Sequence, residues 1–140
     1  MSVSRGDIVL VDYPFSDRTG SKVRPALVVQ ADDLNRRITD TILASISRST
    51  HRASATQLFI DISTPEGGET GLRQNSMIQC ENLLTYDQRL VITKIGRLYA
   101  PLLEQIKDCL KLALDLLRVD MPRQPVFFVC RMDFSPSVFP

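Results

Sequence analysis

Arg24 and Ser47 are the residues whose types and setting could act on a phosphate. Arg24 precedes Pro25 where a polar stretch enters the apolar run Ala26–Val29, and Ser47 closes the apolar run TILASI at 41–46. If the two runs are neighbouring strands, both residues share one end of a sheet. A guanidinium offers a fixed fork of donors for two oxygens, and a hydroxyl adds a third hydrogen bond. The competing reading of Arg24 is a strand-edge arginine in a salt bridge, and spacing alone favours it. Other constellations are missing. His51 is the single histidine, which excludes a two-histidine acid–base nuclease, and no HExxH, GxSxG or Walker-type loop occurs. Asp32, Asp33, Asp61, Glu66 and Glu69 show no spacing for a two-metal site, so neither metal nor cofactor is expected.

The elements that must hold these residues read as mainly β with one helix. Two runs, Ile8–Val11 and Ala26–Val29, flank a polar loop containing Ser16 to Lys22. Tyr13-Pro14 is expected to break the first strand, and Asp32 to Arg37 to form a polar connection. Further strands are expected at Thr41–Ile46, Gln57–Ile62, Ser76–Cys80 and Ile92–Leu98. STPEGGETG at 63–71 reads as a loop, and Thr85-Tyr86-Asp87 as a turn or short helical piece. From Pro101, Leu103, Ile106, Leu110, Ala113, Leu114 and Leu117 recur at helical spacing, with Glu104 in the first turn and Arg118 in the last.

At 140 residues, 44% hydrophobic and 24% charged, the chain suits one domain with a real core. A net charge of +1 gives no global positive field, so any nucleic-acid contact must come from a local patch. No apolar run has membrane-spanning length, the start MSVSRGD lacks a signal peptide's apolar core, and the cytoplasm is the expected location. Cys80, Cys109 and Cys130 are odd in number and lack CxxC spacing, which fits a reducing compartment. Cys80 and Cys109 fall in apolar patterns and read as buried small hydrophobes. The domain is expected over 1–118, with 119–140 an extension holding four of the eight prolines and four of the six phenylalanines.

The segment GDIVLVDYPFSDRTGSKVRPALVV, followed in register by TILASIS, GLRQNSMIQCENLLTYDQRL and KIGRL, resembles the MazF/PemK family of toxin endoribonucleases. The resemblance implies a small SH3-like β-barrel of MazF/CcdB type with a C-terminal helix, forming a homodimer. It implies cleavage of single-stranded RNA to 2′,3′-cyclic phosphate and 5′-hydroxyl ends without a metal, restrained by a cognate antitoxin. The family's active-site arginine and hydroxyl fall on Arg24 and Ser47. Arg24 is then an electrostatic stabiliser first and a proton donor second. Phe15, Arg18, Ser21 and Lys22 become RNA-contacting residues, Phe15 by stacking on a base and Arg18 and Lys22 through flanking phosphates. Glu81 and Asn82 match an acidic–amide pair, for which base recognition and strand-end hydrogen bonding both stand.

Two departures are visible. Ser47 stands where threonine is more typical and lacks the methyl that fixes a rotamer, and the loop reads GSK where well-studied members carry an SEQ-type tripeptide. The alternative function is a non-catalytic binding module on the same barrel. It would act as a gyrase inhibitor resembling CcdB, or as a DNA-binding transcriptional co-regulator with an antitoxin.

Overall fold

A computed structural model describes residues 2–14, 20–50 and 54–116. Six antiparallel strands, β1 (Asp7–Pro14), β2 (Ser21–Val28), β3 (Asp40–Ser47), β4 (Gln57–Ile60), β5 (Ser76–Asp87) and β6 (Thr93–Arg97), form one sheet in the order β4-β5-β3-β2-β1-β6. Three α-helices, α1 (Asp32–Arg37), α2 (Pro65–Gly68) and α3 (Leu102–Ala113), and a short 3-10 helix at Gln88–Leu90 complete the described elements. The sheet curls into a half-barrel with apolar residues on both faces. Ile8, Leu27, Ala44, Ile46, Ile60 and Ile78 pack one face, which α3 covers with Ile106 and Cys109. Val9, Val11, Ala26, Val28 and Leu43 pack the other with Val3 and Val91. Double-sided burial explains the nearly unbroken apolar runs of β1 and β2.

Several expected boundaries are corrected. Tyr13 and Pro14 do not break β1 but pair with Lys22 and Ser21. β6 pairs only with Asp7–Leu10, so Pro14 lies where that flank of β1 carries no β6 partner and its missing N–H interrupts no β1–β6 rung. β2 therefore starts at Ser21, and Ser21 and Lys22 are strand residues, not loop residues. Asp32–Arg37 is a helix, with Asp32 and Asp33 in its first turn and Arg36 and Arg37 in its last, matching the dipole. The stretch 63–71 contains α2, started by Pro65 and capped by Thr64, whose Oγ1 accepts the N–H of Gly67 at 3.0 Å.

SMIQC and TYD are not separate pieces but the two ends of β5. Its register on β3 shifts midway: Ala44 faces Leu83, whereas Ser45 faces Gln79. Cys80, Glu81 and Asn82 are thus extruded as a bulge, which bends the strand. α3 begins at Leu102 and ends at Ala113, short of Leu117 and Arg118. Asp115 takes φ 58°, and the N–H groups of Asp115 and Leu116 close back on the carbonyls of Leu112 and Lys111. That arrangement ends the helix and leaves Lys111 as its last-turn cation. Phe15, Arg18, His51, Cys130 and the extension 119–140 lie outside the described residues.

Candidate functional site

Arg24 is half-buried on β2 and faces Val11 of β1. On its other flank the rungs to β3 are Val28–Leu43, Leu27–Ala44 and Ala26–Ser45. That register, continued one pleat past the last rung, sets Arg24 across from Ser47. Both then share the face carrying Ala26, Val28 and Leu43. Ser47 pairs with Met77 of β5 on its far side. Its Oγ accepts the N–H of Ser49 at 3.1 Å, an arrangement that uses a lone pair and not the hydroxyl proton.

A cleft of about 550 Å³ opens at this end of the sheet. Ile46, Leu72 and Ile95 of the α3-covered face line it with Leu10 and Pro25. Its basic lining residues are Lys22, Arg24, Arg48 and Arg73, of which Lys22 and Arg24 alternate onto the opposite face of β2. Among the described residues no carboxylate lines it, and Ser47 lies outside its lining. Among the eight described arginines, Arg36, Arg37, Arg89 and Arg97 hold carboxylates and Arg5 donates to the carbonyl of Val29. The other three, Arg24, Arg48 and Arg73, have no side-chain hydrogen bond or ion pair among the described residues, and all three line this cleft. Cations gathered without a counter-charge repel one another, and a multiply charged anion relieves that repulsion. Sequence reasoning passed over Arg48 and Arg73. The signal available was adjacency, Arg48 beside Ser47 and Arg73-Gln74 just ahead of the SMIQC strand.

The bulge of β5 is tied to β1 outside that lining. Tyr13, the cross-strand partner of Lys22, donates its hydroxyl to Oδ1 of Asn82 at 3.0 Å. Asn82 is exposed and its amide reaches Oε1 of Gln79 at 3.3 Å, which leaves one N–H uncommitted among the described residues. Glu81 turns to the start of β4, where Thr56 Oγ1 donates to one carboxylate oxygen at 2.9 Å and Gln57 donates to the other. Burial pushes its carboxyl up, but the bonds from Gln57 and Thr56 outweigh that and hold it below its ordinary range. The geometry of Glu81 is that of strand-end hydrogen bonding. Among the described residues, no three His, Cys, Asp or Glu side chains converge as a metal-ligand set.

Residues 4–114 match the family of PemK-like, MazF-like toxins of type II toxin–antitoxin systems. The chain belongs to that family. Endoribonuclease EndoA of Bacillus subtilis is 31% identical over 119 residues, spanning 84% of this chain and 98% of the relative. Endoribonuclease MazF6 of Mycobacterium tuberculosis is 27% identical over 119 residues, spanning 83% and 100%. A mycobacterial endoribonuclease solved in complex with its cognate antitoxin shares the fold with a TM-score of 0.66 at 20% identity, over 83% of this chain and 98% of that one. MazF from Deinococcus radiodurans does so with a TM-score of 0.63 at 13% identity, over 82% and 98%. The expected mainly β fold with a C-terminal helix is thereby established for this member of the family.

Proposed function

We propose that this chain is the endoribonuclease toxin of a type II toxin–antitoxin pair, cutting single-stranded RNA without a metal. The observation that carries the reading is the grouping of Arg24, Arg48 and Arg73, without side-chain partners among the described residues, around one cleft at the end of the sheet where β3 presents Ser47. The scissile step is attack of a ribose 2′-hydroxyl on the adjoining phosphorus, which forms the 2′,3′-cyclic phosphate and expels the 5′-oxygen. Charge builds on the two non-bridging oxygens as the phosphorane forms. Arg24 meets that charge with preorganised donors, the kind of stabilisation whose removal costs about 10²–10³ in rate. Its second role is proton delivery to the leaving oxygen, while the proton lost by the attacking 2′-hydroxyl passes to solvent, which reprotonates the guanidinium. The Ser47 hydroxyl donates to a non-bridging oxygen.

Lys22 and Arg18 take flanking phosphates, Phe15 stacks a base, Ser21 contacts the RNA, and Asn82 offers its amide to a base edge, with Glu81 holding the bulge beside it. We place the activity in 1–118, in a homodimer restrained by a cognate antitoxin. Among the described residues no helix is long and apolar enough to cross a membrane, and the cytoplasm is the proposed location. Incubation with a broad set of single-stranded RNAs in chelator, followed by end-group analysis, tests the reading. Cyclic-phosphate and 5′-hydroxyl ends are expected. Intact RNA across the set would favour the binding-module alternative.

A further inference from the structure

The segment Gly71-Leu72-Arg73-Gln74 between α2 and β5 lines the cleft together with β2 and β3 residues, and its backbone is seated with unusual closeness. Gly71 has φ +75°, and a Cβ added there would lie 2.0 Å from the carbonyl oxygen of Ile95. Gly96 reciprocates, since a Cβ there would lie 2.2 Å from the carbonyl oxygen of Thr70. The two segments pack backbone on backbone, which only glycine allows at both positions. Buried Thr70 locks the turn by donating to the Gly67 carbonyl at 2.6 Å and accepting the N–H of Leu72 at 3.2 Å. The N–H of Arg97 bonds the Glu69 carbonyl at 3.0 Å, fixing the segment to β6. A segment held this firmly presents an arginine with no partner of its own among the described residues and a half-buried Leu72 beside Ile95.

From this we infer that the Arg73 segment and the apolar wall form a nucleotide subsite flanking the cut. Arg73 holds the phosphate next to the scissile one, and the neighbouring base lies against the half-buried Leu72 and Ile95. The inference rests on the RNA-cleaving reading and names a specificity-determining part of it. A volume of about 550 Å³ accommodates a nucleotide and lies within the usual span of about 300–1,000 Å³ for ligand pockets. Mixed walls fit a nucleotide better than phosphate alone, because a bare phosphate site gains nothing from aliphatic surface.

The probe is a short single-stranded RNA that the protein cuts, made non-cleavable by a 2′-deoxy sugar at the scissile position. Its dissociation constant is measured against salt for the wild type, Arg73→Ala and Arg73→Lys, with thermal midpoints as the folding control. Arg73→Ala is expected to bind about tenfold more weakly and to lower the slope of log K on log salt by about 0.7, the value for one lost single-strand phosphate contact. Arg73→Lys is expected to restore the slope. A single abasic nucleotide, moved along the RNA, is expected to cost most at the position adjoining the cut, and Leu72→Ala to reduce that cost specifically.

Unchanged affinity and slope in a folded Arg73→Ala would overturn the subsite while leaving cleavage by the wild type intact. Failure of the wild type to cut any RNA would instead remove the reading on which the subsite rests. A cleft that loses only an acidic peptide ligand on Arg73→Ala, with RNA affinity unmoved, would also overturn it and assign this surface to a protein partner.

Discussion

Ala26 on β2 faces Ser45 on β3, and this last rung of their ladder determines what lies opposite what at the sheet end. That register, continued one pleat past the rung, would set Arg24 opposite Ser47. A one-residue slip would send Arg24 to the opposite face of the sheet and replace it with Val23 or Pro25. Burial on both sheet faces resists such a slip, because it would exchange Ala26 and Val28 for Leu27 in a packed layer. The core thus sets the register on which the site depends.

The hydroxyl at position 47 is expected to act through its oxygen and not its size. Ser47→Thr should retain cleavage within about threefold. Ser47→Ala should slow single-turnover cleavage by about 10–100-fold, the equivalent of one hydrogen bond to a charged group. Equal rates for all three proteins would remove Ser47 from the mechanism.

Gly71→Ala should destabilise the fold by about 2–3 kcal/mol, because it forces a Cβ into the Ile95 carbonyl at a positive φ. A fall of about 10 °C in thermal midpoint is the expected signal. Gly68, whose nearest neighbour to an added Cβ is 3.8 Å away, is the control and should tolerate alanine.

Glu81 gives a pH-dependent prediction. Its carboxyl is held below the ordinary value of 4.5, so the folded state binds its proton less readily than the unfolded chain. That contribution is complete above the unfolded value and is lost as pH falls through the folded one. Denaturant midpoints of wild type and Glu81→Gln should therefore differ at pH 7 and converge on acidification below about 4.5. A constant difference from pH 7 to pH 3 would refute the assignment.

Cys80 is fully buried, and burial pushes its thiol up to about 12, with Cys109 adding to the shift. The thiolate is the reactive form, so Cys80 should resist alkylation in native protein at pH 8. Peptide mapping should show it modified only after unfolding. Modification at the native rate of an exposed thiol would contradict its place in the core beside α3.

The strands and the helix were legible in the sequence wherever one physical signal dominated. Val and Ile runs marked the cores of β1, β2 and β3, and helical spacing of Leu103, Ile106 and Leu110 marked α3. Ends were misread where tertiary context overrode local chemistry. Pro14 is harmless where β6 no longer pairs with β1, and Asp115 in the left-handed region closes α3 where the apolar pattern runs on. The bulge at Cys80–Asn82 has no sequence signature of its own and emerges only from pairing with both β3 and β4. Arg24 and Ser47 stand out by residue type and setting, and the resemblance made them the leading catalytic candidates. Arg48 and Arg73 became visible only when the other described arginines proved to have partners and these did not.

The most direct test compares wild type and Arg24→Ala on one RNA in chelator, by single-turnover rate and by the chemistry of the ends. The account predicts chelator-resistant cuts with 2′,3′-cyclic phosphate ends in the wild type. It predicts a loss of at least about 10²-fold in Arg24→Ala, with affinity for non-cleavable RNA reduced far less. Equal cutting by a folded Arg24→Ala would contradict it.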